Sequence, residues 1–314
     1  MSRIPLVLIV GPTAVGKTAV GVALAQRFSG EIISADSRQI YRYMDIGTAK
    51  PTPDERTLAP HHLLDVVDPD QLLTLAEYQA LAKRAIEDIA ARGKSPLLVG
   101  GTGLYVRAVA EGWQVPPVAP NPAIRQTLLE RAEREGAAAL YAELQAVDPE
   151  ATAIIDPRNV RRVVRALEVY YSSGQTFSSQ RGRQAPPYEA LWIGLTMPRA
   201  ALYARADERV DRMVAAGWVD EVRDLVVRGY GLDLPALSAL GYREIGRTLQ
   251  GELSLAEALA LIKRHTHRFI RHQYAWFGLQ DPRIRWFDMS QDCLEGIGAL
   301  VGSFLESGAR EEQA

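Results

Sequence analysis

One cysteine, Cys293, stands among 314 residues. A single thiol cannot close an internal disulfide, and no Cys/His array has zinc-ligand spacing. A disulfide scaffold and a zinc module are therefore excluded, and a reducing cytoplasmic setting is expected. Long apolar runs are missing too: nothing approaches the ~20 residues that a membrane span requires. The short apolar stretch Ile4–Val10 runs into Gly11-Pro12 without a cleavage-type site, so it reads as a core strand rather than a leader. Charge of one sign is also lacking. With Lys+Arg 36 against Asp+Glu 38, the net charge is −2, and a nucleic acid could be met only by a local basic patch. What remains is 47% hydrophobic and 24% charged, the composition of a soluble globular protein. The length fits one large domain or a core with one insertion. Nothing calls for an obligate dimer, so a monomer is expected.

Strand and helix patterns alternate over residues 1–113. Ile4–Val10 has the continuous apolar character of a strand buried on both faces. Lys17–Phe28 has helical spacing, and Glu31–Ala35 reads as a second strand. Thr74–Arg92 is an amphipathic helix with Thr74 as N-cap and Gly93 as its stop. Pro96–Val99 is another buried strand, followed by Gly100-Gly101-Thr102-Gly103 and a helix through Val109. This alternation predicts an α/β fold: a parallel sheet flanked by helices, with ligands at the carboxyl ends of its strands. The pattern changes after Trp113. Four prolines fall within 115–122, Ala123–Tyr171 is helical and charged, and 172–189 is rich in Ser, Gly, Gln and Pro. The sequence thus suggests a helical insertion over 114–190. The core would comprise 1–113 and 191–314, with a further strand at Ile284–Phe287.

Gly11-Pro12-Thr13-Ala14-Val15-Gly16-Lys17-Thr18 matches G-x-x-x-x-G-K-[ST] between a strand and a helix. Glycines let the backbone curl its N–H groups toward phosphate oxygens, and the following helix N-terminus adds partial positive charge. Lys17 is placed to reach a terminal phosphate, and the Thr18 hydroxyl to hold Mg²⁺. This is a P-loop of NTPase type, but a nucleotide hydrolase also needs an acid at the end of a core strand. Here that strand ends in Gly100-Gly101, and Asp65 is a weak substitute. The better-placed acid is Asp36, after the second strand, where it could take a proton from an attacking nucleophile. Group transfer is favoured over hydrolysis, and a small-molecule kinase remains an alternative. Farther along, Arg158, Arg161, Arg162 and Arg165 form a stripe on a helix whose other face is Val160, Val163, Val164 and Leu167. The stripe reads either as a solvated basic face or as a grip on RNA. A second basic stretch runs from Lys263 through Arg264, Arg268 and Arg271 to Arg285.

The block Ser34-Ala35-Asp36-Ser37-Arg38-Gln39-Ile40-Tyr41 through Asp45-Ile46-Gly47-Thr48-Ala49-Lys50-Pro51 resembles the tRNA dimethylallyltransferases (tRNA isopentenyltransferases) of bacterial type. The likeness continues in Pro60-His61-His62-Leu63-Leu64-Asp65, Gly100–Tyr105, Arg165–Val169, Leu240–Glu244 and Gln273-Tyr274-Ala275-Trp276-Phe277, in the family's order. The resemblance implies Mg²⁺-dependent transfer of a dimethylallyl group from dimethylallyl diphosphate. The acceptor would be N6 of the adenosine 3′-adjacent to the anticodon, giving N6-isopentenyladenosine and diphosphate. It implies that Asp36 is the general base, that Lys17 and Thr18 contact diphosphate and metal, and that Thr102 lines the reaction channel. Arg205 and Arg209 would approach the leaving diphosphate. Four residues apart, they share a helix face, although Asp207, Glu208 and Asp211 could equally balance them as solvated charges. Asp36, Ser37, Arg38, Gln39 and Thr102 are implied to meet the anticodon stem-loop, as are Arg125 and Arg161–Arg165 with Val163 and Val164. One departure is His272, where the family usually has Arg before Gln-x-x-Trp-Phe. An enzyme that prenylates free adenine nucleotides is a nearer rival, but it would have little use for an arginine-bearing insertion.

Overall fold

The computed structural model describes residues 3–186 and 188–311. The chain divides into two compact units, one of Met1–Ala110 with Pro186–Ala314 and one of Glu111–Ala185. The first unit begins β1 (Ile4–Val10), α1 (Lys17–Arg27), β2 (Gly30–Ser34), α2 (Pro53–Leu58), β3 (His61–His62), α3 (Leu75–Ala91), β4 (Ser95–Gly100) and α4 (Gly103–Ala110). The second unit contributes β5 (Trp113–Gln114), α5 (Pro122–Glu135), α6 (Ala137–Val147), α7 (Pro149–Thr152), α8 (Val160–Ser173) and β6 (Gly182–Arg183). The first unit then resumes with β7 (Tyr188–Thr196), α9 (Arg199–Ala215), α10 (Trp218–Val227) and a 3-10 turn at Ala236–Ser238. It closes with α11 (Tyr242–Leu249), α12 (Leu255–Trp276), β8 (Ile284–Asp288) and α13 (Leu294–Glu311).

Six strands form one sheet in the order β3-β2-β4-β1-β7-β8, every pair parallel. The apolar run of β1 lies in its interior, and alternate side chains serve opposite faces. Val7 and Ile9 pack with Val20 and Leu24 of α1 and Ile297 and Val301 of α13. Leu6, Leu8 and Val10 pack with Tyr78 and Ile86 of α3 and Tyr105 of α4. Helix α3 starts where its sequence says. Thr74 accepts the Glu77 N–H, and Glu77 reaches back to the Thr74 N–H.

A third cluster joins Ile40, Tyr41 and Met44 to Val210, Trp218 and Tyr242, binding the loop after β2 to helices α9–α12. The Glu221 carboxylate fastens that loop by accepting the N–H groups of Asp45 (2.7 Å), Ile46 (2.7 Å) and Gly47 (3.2 Å). Lys50, with 1% of its side chain exposed, donates to the Tyr41 carbonyl and to Asp45 and Asp65. The loops at the carboxyl ends of β1, β2 and β4 consequently lie side by side.

The second unit buries Leu128, Leu140, Leu144 and Leu167 from α5, α6 and α8. It spans 111–185 where the sequence suggested 114–190, because Tyr188 and its successors pair with β1 from Ile4 onward. The proline-bearing segment near 118 belongs to this unit: the Val118 carbonyl accepts a bond from Arg165 at 2.7 Å. Among the described residues, no helix is long and apolar enough to cross a membrane.

Candidate active site

The loop between β1 and α1 is built on backbone that most side chains avoid. Gly11 and Gly16 have φ of 143° and 107°, and a Cβ on Gly11 would overlap the Leu195 carbonyl of β7. Ala14 takes φ 65° without the freedom of glycine. Lys17 opens α1 and donates to the Pro12 carbonyl at 2.8 Å. Burial pulls its pKa down to about 8, against the attraction of Asp36 and with the repulsion of Arg209. Thr18 follows, half-buried, and lines the cleft.

That cleft has a volume of about 700 Å³ and takes in Lys17, Thr18, Asp36, Thr102, Arg205 and Arg209 together. The loop residues Thr13, Ala14 and Gly16 also line it, whereas Gly11 and Pro12 are buried behind. Val15 is 0% exposed and packs in the core, so its side chain has no ligand role. Asp36 Oδ1 accepts the N–H groups of Arg38 (2.8 Å) and Gln39 (3.4 Å), as a turn residue would. Its second oxygen has no hydrogen-bond partner among the described residues. Thr102 Oγ1 accepts the Ser37 N–H at 3.0 Å, tying the loop after β4 to the one after β2.

Arg205 and Arg209 lie on one face of α9, with Arg205 Nη2 3.7 Å from where a Cβ on Gly16 would sit. The neighbouring acids do not neutralise them: Asp207 bonds His267, Glu208 pairs with Arg212, and Asp211 holds Lys263. Neither arginine has an ion-pair partner among the described residues. Burial lowers the Arg209 pKa, and Asp36 opposes the shift. The cleft therefore gathers Lys17, Arg205 and Arg209 around a loop shaped for phosphate, with the Asp36 carboxylate beside them. The end of β4 has no room for an acid. A Cβ on Gly100 would strike the Ala35 carbonyl, and one on Gly101 would strike Gln273. Asp65, the other candidate, is committed to Lys50 and Arg56.

Several implied RNA contacts are occupied elsewhere. The Arg38 guanidinium donates to the Pro235 carbonyl at 3.0 Å, and the Gln39 amide is held by Ser34, Thr48 and Ala49. Ser37 lines the cleft. In the helical unit, Arg125 and Arg165 grip the carboxylate of Glu168, which is 0% exposed. Val163 and Val164, expected on an RNA surface, are 1% and 2% exposed and pack against Leu140 and Leu144, so their side chains are core. Arg158 pairs with Asp156. Arg161 and Arg162 alone of that stripe are exposed without an ion pair among the described residues. On α12, Lys263 is held by Asp211 and Arg271 bonds the Tyr203 hydroxyl, whereas His272 faces the cleft.

Sequence reasoning missed Gln273, whose buried amide bonds Thr13 and Gly101, and Glu221, which fastens the loop after β2. Only the Gln-x-x-Trp-Phe pattern pointed near the first. His61 and His62 sit on β3, His62 bonding Glu31 and His61 the Ala59 carbonyl, and neither joins a metal cluster. Among the described residues no group of three His, Cys, Asp or Glu side chains could hold a metal ion.

Comparison with known proteins finds likeness over nearly the whole chain. Residues 39–280 match the IPP transferase family and residues 4–68 the isopentenyl transferase family. A tRNA dimethylallyltransferase of Roseiflexus castenholzii is 59% identical over 304 residues, covering 97% of this chain and 99% of that protein. One of Thermomicrobium roseum is 54% identical over 289 residues, with 92% and 88% covered. The crystal structure of a tRNA isopentenylpyrophosphate transferase from Bacillus halodurans superposes with a TM-score of 0.74 at 41% identity, covering 99% of this chain and 100% of that one. A eukaryotic dimethylallyltransferase acting on tRNA gives a TM-score of 0.80 at 26% identity, with 97% and 80% covered. The likeness runs over nearly the whole length of both this chain and these relatives, and the chain belongs to the tRNA dimethylallyltransferase family.

Proposed function

We propose that this protein transfers the dimethylallyl group of dimethylallyl diphosphate to N6 of the adenosine 3′-adjacent to the anticodon in tRNA. The observation that carries this reading is a cleft in which Lys17, Arg205 and Arg209 surround a phosphate-type loop and Asp36 offers a carboxylate oxygen with no hydrogen-bond partner among the described residues. The allylic C–O bond breaks and its electron pair leaves with the diphosphate, where the three cations stabilise the growing negative charge. The N6 lone pair forms the new bond to carbon, and the N6 proton passes to Asp36. Extrusion of the base from its stack would bring it to Asp36 and Ser37, while the exposed Arg161 and Arg162 offer contacts to phosphate.

Mg²⁺ fits the residues present. Thr18 lines the cleft beside Lys17, and no protein hydrogen bond occupies its hydroxyl among the described residues. With no carboxylate cluster at hand among the described residues, Thr18 and the substrate's own oxygens would hold the ion. Bound there, it would supply positive charge to the leaving diphosphate.

The test is transfer of label from dimethylallyl diphosphate, with Mg²⁺, to unmodified tRNA carrying adenosines after its anticodon, with ATP and free AMP for comparison. Label in tRNA alone is the expected result. Label in AMP, or phosphoryl transfer from ATP, would overturn the tRNA reading. Asp36→Ala should abolish transfer, because it removes the proton acceptor, and leave tRNA binding within about 3-fold, because the turn that loses its bonds from the Arg38 and Gln39 N–H groups is still tied by Thr102 at Ser37. Normal turnover in that variant would remove Asp36 as the base.

A further inference from the structure

We propose that Gln273 is a positioning residue that sets the distance between the diphosphate loop and the loop bearing Asp36. Its kinetic readout rests on the transfer reaction above. Strand pairing aligns β1, β4 and β2 only as far as Val10↔Gly100 and Ser34↔Val99. Past those residues, no backbone hydrogen bond joins the β1 loop to the β4 loop among the described residues. Gln273 spans that gap. Its side chain, in a residue 4% exposed on α12, accepts the Thr13 N–H at 2.8 Å through Oε1 and donates to the Gly101 carbonyl at 3.2 Å through Nε2.

The linkage then runs onward. Thr102, next to Gly101, gives its N–H to the Ala35 carbonyl (3.1 Å) and accepts the Ser37 N–H (3.0 Å), so it brackets Asp36 from both sides. Lys17's loop and Asp36's loop are thus connected through one buried amide and one hydroxyl.

The chemistry of the gap selects glutamine. One wall presents an N–H and the other a carbonyl, so the tip must both accept and donate. A glutamate would set oxygen against the Gly101 carbonyl, a lysine or arginine would set a donor against the Thr13 N–H, and asparagine is one methylene short. Gly101 is fitted to the same amide: a Cβ there would overlap Gln273 Nε2, while its next neighbours, Gln273 Cδ and the Gly11 carbonyl, lie at 3.4 Å. No left-handed backbone requires glycine at that position. Gly101→Ala should therefore act chiefly by pushing the amide out of place.

The experiment is a double-mutant cycle of Gln273→Ala, Gly101→Ala and the double variant, read two ways. In steady-state transfer, each single change should lower kcat about 10–100-fold, as expected for a displacement on the order of 1 Å between reacting groups. The double variant should be no slower than Gln273→Ala, because the clash has lost its target. In hydrogen exchange, both single variants should lose protection at the amides of 11–18 and of 35–40, and the double variant no further. Additive losses of kcat, a loss of melting temperature with kcat unchanged, or lost protection confined to 11–18 would each overturn the proposal. If the unaltered protein transfers no prenyl group, the functional reading fails by itself, and the exchange cycle still decides the role of Gln273.

Discussion

Truncating Glu168 to alanine should cost the helical unit about 3 kcal/mol. Its carboxylate, 0% exposed, accepts the Asn121 N–H at 2.7 Å, Arg125 at 2.9 Å and Arg165 at 2.8 Å. Burial alone would raise its pKa, yet the bonds from Arg165, Arg125 and Asn121 bring the group below its ordinary value. Breaking a buried ion pair from one side costs roughly 3–5 kcal/mol, because the remaining charge is left uncompensated. Here the lower end applies. Arg125 and Arg165 are 40% and 28% exposed, so water takes over part of their solvation. Arg165→Ala should cost less, about 1–2 kcal/mol, because the carboxylate keeps Arg125 and Asn121. Urea denaturation followed by circular dichroism, with hydrogen exchange at the amides of α8, measures both. A loss below about 0.5 kcal/mol for Glu168→Ala, the range of ordinary surface changes, would refute a structural clamp.

If those two arginines serve the clamp, the salt dependence of tRNA binding should rest on their exposed neighbours. Arg161→Ala with Arg162→Ala should lower the salt slope by about two, and an unchanged slope would take α8 off the RNA surface. Lys17, held at about 8, loses its proton as pH rises through that value in the free protein. The kcat/KM for dimethylallyl diphosphate should therefore fall above about pH 8, while kcat holds to higher pH because bound diphosphate favours the charged lysine; a kcat/KM flat to about pH 10 would contradict this. Glu31 sits at about 2, below the ordinary 4.5, through its bonds from Arg92, opposed by burial and aided by His62. Its contribution to stability is complete above about pH 4.5 and is lost as pH falls toward 2. Arg92→Ala should flatten that acid limb in melting curves, and an unchanged limb would count against it.

Where local pattern governs structure, the sequence was readable. The continuous apolar run of Ile4–Val10, the Thr74/Glu77 capping box and the Gly11–Thr18 loop each carry their conformation in adjacent residues, and each forms as expected. Helix spacing likewise placed Arg205 and Arg209 on one face, and the structure turns that face into the cleft. What spacing could not supply was the partner of a charged side chain. Arg125 was expected at RNA from the resemblance alone; its partner Glu168 lies 43 residues away, and the burial of that carboxylate depends on α5 packing against α8. The link between Gln273 and Thr13 spans 260 residues and has no local signature. Val163 and Val164 were implied RNA contacts through the resemblance, whereas helical spacing already put them on the apolar face, where the structure buries them.

The position of β7 bears on how the molecule is made. β1 lies between β4 and β7, and its Ile4 pairs with Tyr188, beyond the whole helical unit. During synthesis, one edge of the most apolar strand stays open while 111–185 emerges from the ribosome. An open apolar edge is a template for pairing between chains. A chain halted before Tyr188 would carry the complete phosphate loop and the Asp36 block, yet expose that edge permanently. Nascent chains of this protein should therefore be most prone to aggregate in the interval between the two halves of its sheet, and long-range parallel pairing of this kind makes the closing step slow.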